Sequence, residues 1–402
     1  MSQSFPVQAS AAGILSAVVG FSSSFAVVIA GLSAVGAGQA EAASGLMALS
    51  IAMGACAIFL SLRSRMPISV AWSTPGAALL ATSGTLDGGF ADAVGAFVIT
   101  AGLIILSGLW KPLGRWVAAI PTPIANAMLA GVLLDLCLAP VRAIAELPGS
   151  GLAIAVTWAV VAKINKLYAV PAAVLVAIGL IAATAESSAI GIGSLWPAPI
   201  LVAPTFSLPA AIGVALPLFV VTMASQNIPG IAVLRANGYE PAPGRLFSWT
   251  GLFGLAAAPF GGHAVNLAAI TAALCAGKDA DPDPRRRYWA AVVAGAVYIL
   301  FGLCAGAAMA FISASPPILI EAVAGLALLG AFGASLMGAV SETRQREAAV
   351  ITFLVTASGA TFFGISGAFW GLVAGGAILA LNAAGLSRRS PDAATSAPAQ
   401  RS

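Results

Sequence analysis

One apolar segment of this chain is unsuited to a continuous membrane helix. Residues 67–76 read PISVAWSTPG, in which the first six residues are extended in character and the next four can start a helix. We expect Thr74 to be the N-cap residue and Pro75 to lie in the first turn. About five extended residues at 3.3 Å and about ten helical residues at 1.5 Å reach roughly 32 Å, enough to cross a hydrocarbon core of about 30 Å. The sequence therefore predicts a crossing that is half strand and half helix.

A second segment combines helix breakers and polar residues in the same way. Residues 258–266 read APFGGHAVN, and an apolar run that we expect to be helical follows from Leu267. Extended backbone at membrane depth is tolerated only where it is buried in protein or lines a cavity. Two such crossings in opposite orientations would point the amide ends of their half-helices, which carry partial positive charge, at each other. The pair predicts an anion site near the midplane; the alternative is that Pro75 and Gly261-Gly262 only permit kinks or close packing.

The overall composition is typical of a membrane protein. Of 402 residues, 60% are hydrophobic and 8% are charged, whereas soluble proteins average about 45–50% and 25%. The 18 Lys and Arg and 14 Asp and Glu give a net charge of +4, and the basic residues are scattered between apolar runs, which excludes a nucleic-acid partner. The four cysteines lie inside apolar runs without metal-ligand spacing, so we expect core residues, no metal and no cofactor.

Fourteen membrane spans are expected from the apolar runs. Their approximate bounds are 11–34, 41–62, 67–84, 90–109, 121–140, 149–164, 168–185, 208–234, 246–260, 262–277, 287–312, 317–340, 347–363 and 366–385. With both termini inside, seventeen of the eighteen Lys and Arg residues fall on the cytoplasmic side, where they are expected, and only Arg142 falls outside. Residues 1–10 then form an N-terminal cytoplasmic segment, and residues 386–402 form a disordered cytoplasmic tail.

An internal repeat relates the two halves of the chain. Residues 123–131 and 317–325 are identical at four of nine positions, and they lie seven spans apart, in the fifth and the twelfth. Because seven is odd, the two copies run in opposite directions. The expected fold is an all-α polytopic membrane protein with two inverted seven-span repeats, at 11–185 and 208–385, and strand-plus-half-helix crossings at spans three and ten.

Few polar side chains at membrane depth are available to contact a solute. Gln226 and Asn227 precede Ile228-Pro229-Gly230, where we expect a distortion of the eighth span. Buried amides are costly unless paired, so the two side chains either join helices or contact a solute, and we favour contact. Phe25 could present its ring to the same place, although the serines before it can equally bond to their own helix. His263 is the only histidine and precedes an expected half-helix, which favours a functional role.

Asp135 and Glu321 are two further acids within the expected spans. Asp135 lies near the outer end of the fifth span, and Glu321 lies in the expected first turn of the twelfth. A negative charge in a first turn is favourable for the helix dipole alone. A structural role therefore accounts for both residues.

With these segments in view, the chain resembles the BenE family of benzoate/proton symporters. The resemblance extends from about residue 10 to 385 and rests on AWSTPG at 71–76, SQNIPG at 225–230 and PFGGHAVN at 259–266. It implies the fold of the uracil permeases, with a core domain of spans 1–4 and 8–11 and a gate domain of spans 5–7 and 12–14. It also implies a substrate pocket between these domains, lined from spans 1, 3, 8, 10 and 12.

One departure from the uracil permeases bears on the substrate. Those proteins use carboxylates in the eighth and tenth spans, whereas the polar residues here are Gln226, Asn227, His263 and Asn266. An anionic substrate explains the difference, because buried carboxylates would repel it. We therefore expect a secondary transporter, not an enzyme, that imports an aromatic monocarboxylate such as benzoate with a proton across a bacterial inner membrane. A homodimer is left open.

Each expected site residue has an assigned role. The carboxylate contacts are the amides at Gly76 and around Ala264, aided by Ser73, Thr74 and Asn266, and the ring contacts are Phe25 and Gln226; Asn227 and Gly262 complete the substrate-binding set. His263 is the expected proton carrier because an imidazole titrates near neutral pH. Glu321, or the substrate's own acid proton, is the alternative. The competing class is an uncoupled anion channel or uniporter that uses the same amide ends.

Overall fold

The structure, a computed structural model, describes residues 6–110, 112–113, 120–184, 196–313, 315–363 and 365–388. Within these ranges the chain forms helices and one pair of three-residue strands, β1 (Val70–Trp72) and β2 (Val265–Leu267). The helices are α1 (Val7–Ser22), α2 (Phe25–Ala34), α3 (Gln39–Ser64), α4 (Thr74–Ala81), α5 (Gly89–Leu109), α6 (Thr122–Glu146), α7 (Pro148–Ile164), α8 (Lys166–Thr184), α9 (Leu208–Ala236), α10 (Pro243–Ala257), α11 (Ile270–Ala276), α12 (Tyr288–Leu303), α13 (Ala305–Ser313), α14 (Pro317–Ala339), α15 (Arg346–Ala357) and α16 (Gly367–Arg388).

Several helices are long enough to cross a bilayer. Among the described residues, six helical stretches pass by length and composition, namely α1 with α2, α3, α5, α6, α9 and α14. If the bent pair α12 and α13 is counted as one span, the number rises to seven. The other expected spans fall on shorter apolar helices or on the strand-plus-helix segments. The protein is thus a mostly helical polytopic membrane protein, and the number fourteen stays a prediction.

The two ends of the chain depart slightly from the expected bounds. Helix α1 begins at Val7, inside the segment 1–10 that we expected to precede the first span. Helix α16 continues to Arg388. Residues 389–402, which make up most of the expected disordered tail, lie outside the described residues.

Two expected spans are interrupted helices. Between α1 and α2, the hydroxyls of Ser23 and Ser24 both donate to the Gly20 carbonyl, at 3.1 and 3.0 Å, so the serines do bond to their own helix. The span expected at 287–312 bends by 55° between α12 and α13. Cys304 lies at this bend and is exposed, so the expectation that it is a core residue is wrong; the other three cysteines are buried.

Helix α9 contains two wide π-helical turns, each just before a proline. Ala211–Ala215 precedes Pro217, and Met223–Asn227 precedes Pro229. Proline lacks an N–H and its ring clashes with the carbonyl one turn earlier, and a wider turn relieves the clash. The distortion expected beside Gln226 is therefore confirmed.

The strands bring the two irregular segments together in the middle of the bundle. They pair antiparallel, with Val70 opposite Leu267, Ala71 opposite Asn266, and Trp72 opposite Val265. Backbone bonds extend the pairing at both ends, from Ala268 N to Ser69 O at 2.9 Å and from Ser73 N to Ala264 O at 3.1 Å. The two crossings therefore run in opposite directions.

Helix α4 begins one residue earlier than expected, and α11 begins three residues later. Ser73, not Thr74, is the N-cap of α4, because its Oγ accepts the Gly76 N–H at 3.1 Å. Helix α11 begins at Ile270, not at Leu267. The Leu267 N–H donates to Asn227 Oδ1 at 2.9 Å and Leu267 stays in β2. The expected half-strand, half-helix arrangement is present, with its junctions shifted by one and three residues.

Residues 196–207, which lead into α9, are fixed to the surface formed by α3 and α5. The Val202 N–H donates to the Pro259 carbonyl at 2.8 Å, and the Ile200 N–H donates to Ser44 Oγ at 2.9 Å. Buried Asp92 accepts bonds from the hydroxyls of Thr205 and Ser207. This connection is thus ordered by hydrogen bonds along its length.

Small residues permit the closest helix contacts. Gly54 on α3 and Gly295 on α12 face each other, and a Cβ on Gly295 would lie 2.6 Å from the Gly54 carbonyl oxygen. On α14, a side chain at Gly325 would collide with the Leu136 carbonyl of α6. Helices α6 and α14, which contain the two copies of the repeat motif, therefore pack with their backbones in close approach.

The expected sidedness can be tested by cysteine labelling in intact cells. Asp87 and Asp283 are both exposed in loops, and the fourteen-span topology places Asp87 outside and Asp283 inside. In a Cys304→Ser background, Asp87→Cys should react with an impermeant maleimide and Asp283→Cys should react only after the cells are permeabilised. Labelling of Asp283→Cys in intact cells would refute the topology.

Candidate functional site

Ser73 is the residue at which the two crossings and α9 meet. Its Oγ caps α4 and also accepts a hydrogen bond from the Thr222 hydroxyl at 2.8 Å. Its carbonyl oxygen lies 3.0 Å from His263 Nε2. Since a carbonyl only accepts, Nε2 carries the proton in this tautomer. Ser73, Thr222 and His263 are fully buried, so the start of α4 is held by side chains from two other segments.

The first turn of α4 offers fewer amides than the sequence suggests. The Gly76 N–H is bonded to Ser73 Oγ, the Ala77 N–H is bonded to the Ser73 carbonyl, and Pro75 has none. This leaves the Thr74 N–H as the first-turn amide that lacks a partner among the described residues. Thr74 is also half-buried rather than buried, so its amide is the most available one at this helix end.

The second crossing presents extended backbone, not a helix end, to the same place. Ala264 immediately precedes β2, and its carbonyl accepts the Ser73 N–H. Because α11 begins only at Ile270, the amides around Ala264 do not belong to a half-helix terminus. Gly262 is packed tightly, since an added Cβ would lie 2.7 Å from the Ala257 Cβ. Close packing, the alternative considered for the glycine pair, accounts for Gly262.

The two amides of α9 are in different situations. Asn227 is fully buried and joins α9 to β2 through the Leu267 N–H, which is the helix-joining alternative. Gln226 retains 8% exposure, and its side chain makes no hydrogen bond within the described part of the chain. Gln226 is therefore the amide of this pair that is available to a solute.

Three buried polar atoms beside the strand pair also lack partners among the described residues. They are Ser69 Oγ, His263 Nδ1 and Asn266 Oδ1. The Asn266 amide nitrogen is already used, since it donates to the Leu267 carbonyl at 2.8 Å. Buried polar groups are rarely left unpaired, so each such atom calls for an explanation. His263 Nδ1 and Asn266 Oδ1 are hydrogen-bond acceptors in this arrangement, and a hydrogen-bond donor brought to either would satisfy it.

Aromatic rings from three segments surround the end of β1. Phe21 stacks on Phe25 with ring centroids 5.6 Å apart and contacts Trp72 at 5.5 Å and Phe301 at 4.8 Å. Trp72 is fixed by a hydrogen bond from Nε1 to Ser24 Oγ at 2.9 Å. Since Trp72 directly precedes Ser73, this aromatic cluster of Phe21, Phe25, Trp72 and Phe301 adjoins the capped end of α4. Such rings offer flat apolar surface to another ring.

The two expected proton carriers lie in different places. His263 is enclosed between Ser73 and the ring of Phe97, at a centroid distance of 6.3 Å. Glu321 instead lines a cavity of about 510 Å³ together with Asp135. It also lies beyond the first turn of α14, which begins at Pro317, so it is not favoured by the dipole in the way that the sequence suggested.

Four residues of this region were absent from the expected site, namely Phe21, Trp72, Thr222 and Phe301. Phe21 and Trp72 lie in the same short stretches as Phe25 and Ser73, which were expected to contact the substrate. Thr222 lies four residues before Gln226, on the same face of α9, which is a signal that could have identified it. For Phe301 the sequence offers no signal, because its place depends on how α12 packs.

The chain shares its fold with solved structures of membrane transporters. One solved structure with the same fold is the transmembrane domain of a cyanobacterial bicarbonate transporter, BicA, with a TM-score of 0.61 and 15% identity over 92% of this chain and 96% of that chain. Another is the murine Solute Carrier 26 family member A9 anion transporter in its inward-facing state, with a TM-score of 0.63 and 12% identity over 96% and 69% of the respective chains. Identities this low establish the fold alone.

The chain belongs to the BenE family, described as benzoate membrane transport protein, which it matches over residues 3–381. It is 41% identical over 377 residues to Inner membrane protein YdcO of Escherichia coli (strain K12), and 32% identical over 378 residues to the Benzoate membrane transport protein of Acinetobacter baylyi (strain ATCC 33305 / BD413 / ADP1). Each alignment covers 93% of this chain and 95% of the relative. The expected family, and a transport rather than an enzymatic function, are confirmed.

The joining role of Asn227 can be tested by substitution. Asn227→Leu keeps a similar volume but leaves the Leu267 N–H buried without a partner, which should cost about 1–3 kcal/mol of stability. The melting temperature in detergent should fall well below that of Ser225→Ala, a control whose hydroxyl bonds only to Val221 of its own helix. Equal melting temperatures for the two variants would show that this contact does not hold β2.

Proposed function

We propose that the protein is a secondary transporter that imports an aromatic monocarboxylate together with protons across a bacterial inner membrane, with benzoate as the first candidate substrate. The observation that carries the proposal is the position of the aromatic cluster directly beside the capped end of α4 and the unpaired Gln226 amide. A planar ring with one carboxylate has this distribution of apolar and anionic surface. The names of the two relatives, one a benzoate transport protein and one an inner membrane protein, support it.

In the proposed complex the carboxylate lies at the first turn of α4. The Thr74 N–H and hydroxyl and the Gln226 amide donate to it, while Ser73 and Asn266 hold the backbone around it. The partial positive charge of a helix N-terminus favours an anion at this place. None of these side chains is cationic, so the anion is held by dipoles and can leave more readily than from an ion pair.

The ring of the substrate packs against the aromatic cluster. Phe25 connects this cluster to the gate side, because Phe25 also lines a small cavity with Val174 and Ile320. Offset or edge-to-face contact between aromatic rings is worth about 0.5–1.5 kcal/mol beyond the area that is buried. Selectivity for an aromatic over an aliphatic carboxylate follows from this contact.

We propose the fourteen-span, two-repeat arrangement as the basis of the transport cycle. The antiparallel β1–β2 pair supports it, because spans three and ten must then run oppositely, as inverted repeats require. The close packing of α6 on α14 supports the same relation for the repeat motif. Alternating access moves the core, spans 1–4 and 8–11, against the gate, spans 5–7 and 12–14, and exposes the site to one side at a time.

Uptake into proteoliposomes tests the function. With an inward proton gradient, labelled benzoate should accumulate above the level reached without a gradient, and above protein-free liposomes, which correct for diffusion of the neutral acid. Facilitated equilibration without accumulation would instead identify an uncoupled channel or uniporter. No uptake above the protein-free control would refute the proposed substrate.

The binding geometry predicts a difference between two neighbours on α9. Gln226→Ala removes a hydrogen bond to a charged group, which is worth about 1.5–3 kcal/mol, so the benzoate affinity should fall roughly tenfold to a hundredfold. Ser225→Ala, in the same π-helical turn, should bind as the unmodified protein does. Equilibrium binding of labelled benzoate to purified protein measures both, and unchanged affinity in Gln226→Ala would remove Gln226 from the site.

A charge substitution tests the anionic nature of the ligand. Asn266→Asp places a carboxylate close to the proposed position of the substrate carboxylate, whereas Asn266→Ala only removes the amide. Like charges repel strongly at low dielectric, so benzoate transport should be slower in the aspartate variant than in the alanine variant. Normal transport by Asn266→Asp would show that the anion is bound elsewhere.

A further inference from the structure

The cavity of about 510 Å³ lies between α2, α4 and α13 on one side and α6 and α14 on the other. Its wall is mostly apolar, and its ionisable lining residues are Asp135 and Glu321. It opens where the Asp135 side chain is 62% exposed, which the expected topology places on the outer side. It is therefore the aqueous entrance between the proposed core and gate.

Charge in this entrance is not balanced. Asp135 is paired with Arg142, with Nη2 to Oδ1 at 2.6 Å. Glu321 has neither an ion pair nor a hydrogen bond among the described residues, and it is half-buried. Glu146 on α6 is the other charged group near it, and it is also acidic. Helices α2, α4 and α13 contribute no titratable side chain to the lining. The ionised Glu321 carboxylate therefore leaves the entrance with a net negative charge.

The entrance adjoins the aromatic cluster. Ala26 and Ile320 line this cavity and also line the smaller cavity that contains Phe25. Ile320 is the residue next to Glu321 in sequence. A carboxylate moving from the opening to Phe25 must therefore pass beside Glu321, in surroundings that are too apolar to screen two negative charges from each other.

We propose that Glu321 must bind a proton before the aromatic carboxylate is admitted, so that Glu321 sets the order of binding, proton first and anion second. This inference rests on the proposed function. The proton is taken from water on the open side and converts the carboxylate to the neutral acid, and the anion enters without altering any bond. Once the entrance closes on its apolar wall, Glu321 stays neutral because an unpaired buried carboxylate is costly.

The proposal has a quantitative consequence for binding. When only the protonated protein admits the ligand, the apparent dissociation constant equals the intrinsic constant divided by the protonated fraction. Above the pH at which Glu321 titrates, that fraction falls tenfold for each pH unit, so the benzoate affinity falls by about the same factor. An amide at this position is permanently neutral and removes the dependence.

The test measures equilibrium binding of labelled benzoate to full-length protein in nanodiscs, from mildly acidic to mildly alkaline pH, where benzoate stays ionised. The unmodified protein should lose affinity steeply as the pH rises. Glu321→Gln should bind with an affinity that does not change with pH, and Glu321→Asp, which keeps a titratable group, should restore the steep dependence. Glu146→Gln, an exposed acid outside the cavity lining, is the matched control and should behave as the unmodified protein does.

Several results would overturn the inference. One is a benzoate affinity that still falls steeply with pH in Glu321→Gln. Another is an affinity that does not change with pH in Glu321→Asp, and a third is loss of binding by Glu321→Gln at every pH. If the benzoate affinity does not change with pH in His263→Gln but falls steeply with pH in Glu321→Gln, the proton is bound by His263 instead. If the unmodified protein shows no saturable benzoate binding at any pH, the proposed function fails, and this inference fails with it. The results named before, in contrast, overturn this inference and leave the proposed function standing.

Discussion

The structure depends on the need to satisfy backbone hydrogen bonds in the two segments that cross the bundle as extended chain. In hydrocarbon an unpaired N–H or carbonyl costs several kcal/mol, so an isolated extended segment would be unstable. Here each strand supplies hydrogen-bond partners for the backbone of the other strand. Side chains supply further partners: Asn227 accepts the Leu267 N–H, and His263 donates to the Ser73 carbonyl. This pairing fixes the start of α4, and with it the place where an anion and the aromatic cluster can meet.

The same requirement explains why the region contains amides, hydroxyls and one imidazole rather than charged groups. A lysine or arginine would hold a carboxylate more tightly, but it would also need a partner whenever the substrate is absent. Hydroxyls and amides can bond to the backbone in that state, as Ser73 does with Gly76 and Thr222. The unbalanced charge lies instead at Glu321, in a cavity that water can enter. In the proposed mechanism, the substrate is bound in one part of the protein and its access is controlled in another.

Much of the fold could be predicted from local sequence. Proline and glycine beside polar residues at membrane depth identified both strand-plus-helix crossings, and Pro229 identified the distortion of α9. The exact junctions could not be predicted, because tertiary contacts decide them. Ser73 and Thr74 are both good caps, and the choice of Ser73 accompanies a bond from Thr222 on another helix. Helix α11 starts late because Asn227, forty residues away in sequence, binds the Leu267 amide. The aromatic cluster was only partly foreseen, since Phe301 joins it through packing.

The connection at residues 196–207 has a consequence for the entropy of the transport cycle. A flexible tether between two halves loses conformational freedom whenever motion stretches it, and this loss opposes the motion. This segment is already ordered by Ser44, Pro259 and the Asp92 carboxylate, all of which lie in or next to the proposed core. The ordering cost of these twelve residues is therefore met once, during folding. In the proposed cycle, rocking of the core against the gate leaves the conformational entropy of these residues unchanged, so no free energy from a proton gradient is needed to extend them.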